Sequence, residues 1–228
     1  VDAMAARQEA NLSALKATME GQDRFIGSCT HELKTPMTSI LGYADLLRRG
    51  TLSPEEQANA ADYIFSEGKR LERLSLKLLE LYLAEHQALS LVPAAPADLL
   101  QDLTAHLSPG LARQGIVLTT QGEPGLCLLE PDLFRSLVLN LIDNSRKAIG
   151  AQGTIPISCQ MTERGCRLTV QDTGRGMPPE VLSHLTEAFY RLDKSRAPAQ
   201  GGAGLGLALC AQIAALPQGR SPLANPLE

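Results

Sequence analysis

Apolar side chains recur every three or four positions from Leu12 to Leu81, which is the period of an α-helix that buries one face. Gly50-Thr51-Leu52 interrupts this stripe, and Ser53-Pro54-Glu55-Glu56 then supplies an N-cap, a first-turn proline and a capping-box glutamate. We therefore predict one long helix before the break and a second that begins at Pro54. In the first helix the stripe comprises Leu12, Leu15, Met19, Gln22, Ile26, Cys29, Leu33, Pro36, Ile40, Tyr43 and Leu47.

The short connection between these two helices favours an antiparallel hairpin. Each helix carries a single apolar stripe, and two such helices alone bury little surface. Pairing of two hairpins would cover the remaining apolar positions. We therefore expect a homodimer that forms a four-helix bundle.

Beyond Ser90 the pattern changes from long helices to a mixture of strands and helices, which predicts an α+β domain. The segment from Leu91 to Pro96 contains two prolines and is typical of a linker or an edge strand, so we place a domain boundary near Ser90. The predicted elements are a helix over Ala97 to Arg113, strands over Ile116 to Thr120 and Leu126 to Leu129, a helix over Pro131 to Ile149, and an antiparallel hairpin of Ile155 to Met161 and Cys166 to Gln171.

The composition is that of an ordinary folded protein. Lys and Arg total 21 against 25 Asp and Glu, a formal net charge of -4, so no positive field would attract nucleic acid or an anionic membrane. The five cysteines form no CxxC pair, which favours reduced thiols in a cytosolic setting. The first residues lack the pattern of a signal peptide, and glycines and prolines break the uncharged run from Ala197 to Gly219. We therefore expect no nucleic-acid partner and no membrane-spanning helix in this sequence.

His31 lies on the predicted first helix, in the segment FIGSCTHELKTPMTSILGY. When Ile26 and Cys29 occupy the a and d positions of the stripe, His31 falls at f, which faces solvent. Pro36 lacks the amide that would bond the carbonyl of Glu32, so we predict a kink beside the histidine. A neutral imidazole next to a carboxylate can act as a nucleophile. The alternative is an ordinary surface histidine, which is the commoner case for a histidine that stands alone.

Asn140 and Asn144 are one turn apart in the predicted helix Pro131 to Ile149, and Lys147 follows three positions later. The three side chains therefore share one face of the helix. Amide oxygens are suited to Mg²⁺, and a lysine provides a point charge for phosphate oxygens. The alternative is the polar stripe of an amphipathic helix.

Two glycine-containing segments could bind a nucleotide. Asp172-Thr173-Gly174-Arg175-Gly176 follows a predicted strand, and its carboxylate could accept a hydrogen bond from the exocyclic amine of adenine, whereas guanine has a carbonyl there. Gly202-Ala203-Gly204-Leu205-Gly206 precedes an apolar helix, where backbone amides are free to bind phosphate. Between them we predict a long loop with a short helix after Pro178-Pro179. Turns commonly use aspartate and glycine, so either segment alone is weak evidence.

In chain order, the motifs HELKTP, NLIDNSRKA, DTGRGMP, EAFYRLDKS and GAGLGL resemble the H, N, G1, F and G2 boxes of bacterial two-component sensor histidine kinases. The resemblance implies a dimerising helical hairpin that carries the phosphoacceptor, followed by an α/β sandwich ATP-binding domain of the histidine kinase, gyrase and MutL type. It implies a signal-relay helix ending in residues 1–20, a dimerisation and phosphotransfer domain over 21–90, an ATP-binding domain over 91–216, and an irregular tail over 217–228.

The resemblance also implies a role for each motif. His31 would accept the phosphoryl group, Glu32 would orient it as a base, and Thr35 would assist dephosphorylation of the partner regulator. Arg191 would reach the γ-phosphate of ATP. The implied cofactors are ATP and Mg²⁺, with Asn144 as the metal ligand. The implied nucleotide-binding positions are Asn140, Asn144, Lys147, Asp172, Gly174, Gly176, Phe189, Tyr190, Gly202, Gly204, Leu205 and Gly206, of which Phe189 and Tyr190 would anchor a lid.

The implied activity is autophosphorylation of His31 and transfer to an aspartate of a response-regulator receiver domain, in the cytoplasmic part of a longer, membrane-anchored sensor. ATPases of this fold activate water with a glutamate four residues before the magnesium asparagine. Asn140 stands at that place and cannot act as a base, which disfavours hydrolysis. After the last glycine box the family continues with a helix, a glycine pair and two strands, whereas this chain runs ALPQGRSPLANPLE. A catalytically weak pseudokinase or a dimeric scaffold is therefore the alternative.

Overall fold

The structure is a computed structural model that describes residues 2–86, 90–163, 165–182, 184–190 and 204–215. It divides into two compact units, Val1–Leu78 and Leu79–Glu228. The first unit is helical and the second combines helices with strands, so the predicted α+β class is confirmed. None of the described helices combines the length and the apolar character that crossing a membrane requires.

The first unit is a hairpin of α1 (Asp2–Arg49) and most of α2 (Pro54–His86), and both predicted helices are confirmed. The ring of Tyr43 stacks on that of Tyr63, with centroids 4.8 Å apart, and Glu32 forms an ion pair with Arg70. The residue nearer the C-terminus of α1, Tyr43, therefore contacts the residue nearer the N-terminus of α2, Tyr63. The two helices are antiparallel, as the short connection predicts.

Ser53 and Glu56 form the predicted capping box at the start of α2. The Glu56 amide donates to Ser53 Oγ at 3.3 Å, and the Ser53 amide donates to Glu56 Oε2 at 2.8 Å. Hydrogen bonding to the carboxyl from the Ser53 backbone amide, and then from its hydroxyl, lowers the pKa of Glu56. The pair satisfies amides that the start of a helix leaves without intrahelical partners.

The predicted apolar stripe of α1 divides into two parts. Its lower members, which lie towards the C-terminal end of α1, are buried or half-buried within the hairpin, namely Cys29, Leu33, Pro36, Ile40, Tyr43 and Leu47. Its upper members, which lie towards the N-terminal end of α1, are exposed, namely Leu12, Leu15, Met19, Gln22 and Ile26. The hairpin by itself therefore covers only the lower half of the stripe. Helix α1 continues through Pro36, and the kink there stays a prediction.

The second unit contains the strands and helices that the sequence pattern predicts, with ends that differ by at most two residues. They are β1 (Val92–Ala94), α3 (Pro96–Ala112), β2 (Ile116–Gly122), β3 (Cys127–Leu129), α4 (Pro131–Ile149), β4 (Gly153–Thr162), β5 (Gly165–Val170), α5 (Pro179–Leu182) and α6 (Gly206–Ala215).

The strands form two sheets. In the smaller sheet β1 pairs with β3 in antiparallel orientation, which confirms the edge-strand interpretation of the proline-rich segment. In the larger sheet the order is β2-β4-β5, with β2 parallel to β4 and β4 antiparallel to β5. The parallel pairing places α4 in the connection from β2 to β4.

The core of the second unit is formed by α3, α4 and one face of the larger sheet. Along β4 the side chains of Ile155, Ile157 and Cys159 are buried, whereas those of Thr154 and Pro156 are exposed. This period of two is typical of a strand with one buried face. The buried cluster comprises Leu100, Leu111, Ile116, Phe134, Val138, Ile142, Ile155, Ile157 and Cys159.

Candidate active site

His31 is exposed on α1, as its position in the stripe predicts. Its backbone carbonyl accepts a hydrogen bond from Thr35 Oγ1 at 3.1 Å. Its imidazole has no hydrogen bond or ion pair with any residue that the structure describes. Both ring nitrogens are therefore accessible to an incoming group.

Glu32 points to the other helix of the hairpin. Its Oε2 accepts a hydrogen bond from Arg70 Nη2 at 2.9 Å, and Arg70 Nη1 lies 3.4 Å from Glu67 Oε2. All three side chains are at most one fifth exposed. The carboxylate that would orient His31 is thus held by Arg70 in this structure, and its role as a base stays a prediction.

Helix α4 begins and ends where its sequence predicts, which fixes the positions of its polar residues. The Glu130 side chain caps the first turn, and Pro131 occupies the first helical position. Gly150 ends the helix with a φ of +82° and donates its amide to the Arg146 carbonyl at 3.1 Å. A helix fixed at both ends holds its side chains in a defined register.

The two asparagines of α4 differ in their hydrogen bonding. Asn140 is buried, and its Nδ2 donates to the Ser136 carbonyl at 2.8 Å. Asn144 Nδ2 is the one side-chain nitrogen or oxygen of the described residues that is buried without a hydrogen-bond partner. An unsatisfied buried amide costs about 1–3 kcal/mol, so this position is suited to a ligand that carries oxygen atoms. The amide can offer a donor to phosphate or an oxygen to Mg²⁺.

Lys147 is engaged by a residue that the sequence analysis missed. Its Nζ lies 2.6 Å from Asp143 Oδ2, and Arg146 Nη2 lies 2.8 Å from Asp143 Oδ1. Partial burial would raise the pKa of the Asp143 carboxyl, but hydrogen bonds from Lys147 and then Arg146 outweigh it and hold the pKa below its usual value. The spacing of four between Asp143 and Lys147 is the signal that could have revealed this pair.

Asp172 is exposed at the start of a tight turn that follows β5. Its Oδ1 accepts a hydrogen bond from the Gly174 amide at 2.9 Å, which orients the carboxylate. Oδ2 has no hydrogen-bond partner among the described residues and is available to a ligand. Gly176 has a φ of +67°, a conformation that other residues rarely adopt.

This turn is anchored to α4 and β4. The Arg175 amide donates to the Ala148 carbonyl at 3.3 Å, and the Thr173 side chain accepts from the Thr154 amide at 3.0 Å. A Cβ at Gly174 would lie 2.7 Å from the carbonyl carbon of Ala148, so only glycine allows this approach. Ala148 is one turn beyond Asn144 on the same face of α4. The structure therefore packs the turn that follows Asp172 against α4, one helical turn beyond Asn144.

The F and G2 segments meet through their backbones. The Phe189 amide donates to the Gly204 carbonyl at 2.9 Å, and Phe189 has a φ of +66°. A Cβ at Gly204 would lie 2.7 Å from the Tyr190 carbonyl oxygen. The Tyr190 ring stacks on His184, with centroids 5.4 Å apart. Four other predicted positions remain: Leu205 is buried, Gly206 begins α6, and Arg191 and Gly202 lie outside the described residues.

A cavity of about 840 Å³ lies elsewhere in the second unit. Its walls are mainly apolar and come from β3, α4, β5 and α6, with Cys127, Cys166 and Cys210 among them. It contains neither Asn144 nor Asp172. Cavity volume and site chemistry thus point to different places, and we assign the nucleotide to the polar groups because adenine and phosphate need hydrogen-bonding partners.

Two family descriptions match this chain. "His Kinase A (phospho-acceptor) domain" matches residues 22–87, and "Histidine kinase-, DNA gyrase B-, and HSP90-like ATPase" matches residues 130–224. The sensor histidine kinase YkoH of Bacillus subtilis is 34% identical over 205 residues, which are 88% of this chain and 44% of YkoH. The chain belongs to the sensor histidine kinase family. This sensor histidine kinase chain spans about half the length of the curated relatives it matches.

Solved structures show the same fold. Full-length ShkA in complex with AMPPNP has 27% identity and a TM-score of 0.59, and the match covers 82% of this chain and 39% of ShkA. The histidine kinase ThkA in complex with the response regulator TrrA has 18% identity and a TM-score of 0.64, with 77% and 53% of the two chains covered. The predicted hairpin followed by an α/β ATPase-type domain is therefore confirmed as the fold of this sensor histidine kinase.

Proposed function

We propose that this chain is the kinase core of a two-component sensor. It transfers the γ-phosphoryl group of ATP to His31 and then to an aspartate of a response-regulator receiver domain. The observation that carries this proposal is the exposed His31 imidazole, which has no partner among the described residues of a chain in the sensor histidine kinase family. The complex of ThkA with TrrA supports a response regulator as the class of partner.

The His31 ring is the nucleophile of the first step. A ring nitrogen forms a bond to the γ-phosphorus, the bond from that phosphorus to the bridging oxygen breaks, and ADP leaves with the electron pair. The proton of the imidazole passes to a base, a role that we assign to Glu32. In the second step the receiver carboxylate displaces the imidazole from phosphorus. We assign Thr35, one turn from His31, to dephosphorylation of the regulator.

The turn and helix of the second unit provide the nucleotide site. Asp172 Oδ2 accepts a hydrogen bond from the exocyclic amine of adenine, and Gly174 and Gly176 allow the base to approach the backbone. The unpaired amide of Asn144 fits a Mg-triphosphate because it lacks an oxygen-bearing partner. The metal ion neutralises phosphate charge when it is bound. The remaining proposed nucleotide-binding positions are Asn140, Lys147, Phe189, Tyr190, Gly202, Gly204, Leu205 and Gly206, with Arg191 proposed to reach the γ-phosphate.

We further propose that the chain is a homodimer and forms the cytoplasmic part of a longer membrane-anchored sensor. The exposed upper part of the α1 stripe supports the dimer, because it is an apolar surface that the hairpin leaves uncovered. All five cysteines are free thiols, which supports a reducing compartment.

Incubation with radiolabelled Mg-ATP tests the kinase reaction. We expect the protein to acquire acid-labile, alkali-stable phosphate, and His31→Gln to abolish it because the nucleophile is gone. His106→Gln is the matched control, since His106 is also exposed on a helix, with its Nδ1 2.7 Å from the Asp102 carbonyl. Equal labelling of His31→Gln and the wild type would refute the site. Nucleotide binding without any labelling would favour the pseudokinase alternative.

A further inference from the structure

Arg70 joins the two helices of the hairpin next to the phosphoacceptor. Its guanidinium holds Glu32 of α1 at 2.9 Å through Nη2 and Glu67 of its own helix at 3.4 Å through Nη1. The Arg70 side chain is 16% exposed, and the two carboxylates are 19% and 20% exposed. Charges in such a partly dehydrated setting interact more strongly than those of the more exposed ion pairs of this unit, such as Arg48–Asp45 and Lys69–Glu72.

The geometry separates Glu32 from His31. Successive residues of an α-helix point about 100° apart, so the two side chains do not face each other. His31 is exposed, whereas the Glu32 carboxylate is drawn towards α2 by Arg70. A carboxylate that serves as a base must reach the ring proton of the imidazole, and the bond to Arg70 competes with that contact.

Glu67 gives Arg70 a second partner on the same helix. When Glu32 leaves, the guanidinium can keep its contact with Glu67, three positions away on α2. No buried cation is then left unpaired, which would otherwise make the release costly. Release of Glu32 would therefore leave the Arg70–Glu67 pair in place.

We propose that Arg70 is a positioning residue that withholds Glu32 from His31, and that phosphorylation of His31 requires the Arg70–Glu32 pair to open while Arg70 stays on Glu67. This inference rests on the proposed kinase function. Competition between the carboxylates of Glu32 and Glu67 for the Arg70 guanidinium then controls the rate of phosphoryl transfer to His31. It does not change the affinity for ATP.

Two substitutions move this competition in opposite directions. Glu67→Gln removes the second partner, so Arg70 holds Glu32 more tightly, and we expect single-turnover autophosphorylation at saturating Mg-ATP to slow by about three- to tenfold. Arg70→Met frees Glu32, and we expect a comparable acceleration. Arg70→Lys retains the charge without the two-pronged geometry and should give an intermediate rate. The ATP concentration for half-maximal rate should stay unchanged in all three variants.

Lys69→Met is the matched control, because Lys69 forms an exposed ion pair with Glu72 on the same helix and should leave the rate unchanged. In a Glu32→Gln background, Glu67→Gln and Arg70→Met should have no effect. Changes in the same direction for both variants, or effects that persist without Glu32, overturn the proposal. If Arg70→Met does not fold, Glu67→Gln decides alone, with an unchanged or faster rate against the proposal. A wild type that acquires no phosphate refutes the proposed function, and this inference with it.

Discussion

At the scale of single residues, the turn after β5 shows how a glycine positions a carboxylate. The Gly174 amide donates a hydrogen bond to Asp172 Oδ1, and the Cα of Gly174 packs against the Ala148 backbone. Because the close approach leaves no room for a side chain, the turn cannot shift without displacing Asp172 from its position next to α4. Binding of adenine should therefore depend on this glycine as well as on the aspartate.

Gly174→Ala tests this dependence. The added Cβ would lie 2.7 Å from the Ala148 carbonyl carbon and 2.8 Å from Asp172 Oδ1, so the turn must move. Overpacking of this kind costs about 1–3 kcal/mol, and we expect the Kd for ATP to rise roughly ten- to a hundredfold. Isothermal titration calorimetry measures it. Gly110→Ala is the control, since nothing lies within 4 Å of its added Cβ. An unchanged Kd for Gly174→Ala would contradict the assigned position of the adenine.

Whether a residue of the site could be predicted depends on how far apart in the sequence its interaction partners lie. Asn144 and Asp172 stand in short motifs that are weak evidence singly, so their assignment depends on the order of all five motifs along the chain, and their roles stay predictions. Asp143 was missed, although its spacing to Lys147 is local and readable. Arg70 could not be found, because its contact with Glu32 depends on how two helices align across 38 positions of sequence.

At the scale of the element, the start of α2 is fixed by two residues. The Ser53 and Glu56 bonds replace hydrogen bonds that the first turn of a helix cannot make internally. The hydrogen bonds from Ser53 lower the pKa of the Glu56 carboxyl, which favours its charged form in the folded hairpin. The contribution of Glu56 is thus present above its usual pKa and is lost as the pH falls through the lowered value.

Ser53→Ala removes the cap of α2. We expect the free energy of unfolding at neutral pH to fall by about 1 kcal/mol, measured by urea denaturation. Glu56→Gln should also destabilise the hairpin at neutral pH, and its difference from the wild type should shrink in acid, where Glu56 is protonated. Ser66→Ala is the control, because the hydroxyl of Ser66 donates to the Tyr63 carbonyl in the middle of the helix and does not cap the first turn. A difference for Glu56→Gln that grows in acid would contradict the capping role.

The elements themselves could be predicted from the sequence, but their pairing could not. Pro131 and Gly150 mark the ends of α4, and the period of two identifies β4. No local sequence pattern indicates that β2 pairs with β4 and not with β3. The two strands are parallel, and both β3 and α4 lie between them in the chain. Strand partners are chosen by which faces are buried together, and this depends on the packing of α3 and α4.

At the scale of the whole molecule, the hairpin leaves one row of apolar side chains on α1 uncovered, which includes the exposed part of the predicted stripe and two further residues. Ile26, Met37 and Leu41 are 54%, 52% and 67% exposed, and their spacing of 11 and 4 positions places them on one face of α1. Leu12, Leu15 and Met19 continue the same face towards the N-terminus. A stripe of this length would be unusual on the surface of a monomer, and a second copy of the hairpin would cover it.

Leu41→Glu tests the proposed dimer without a change in the core of the hairpin, because Leu41 is the most exposed of these three residues. In a symmetric dimer each substitution occurs twice, so two leucines lose their burial, at about 1.5–3 kcal/mol each, and two carboxylates replace them. We expect the dimer dissociation constant to rise by about a hundredfold or more in analytical ultracentrifugation. Arg24→Glu, exposed on the same helix and about 140° around the helix axis from Met37, should leave it unchanged. Equal dissociation constants for Leu41→Glu and the wild type would place the dimer interface elsewhere. A strictly monomeric wild type would refute the proposed dimer.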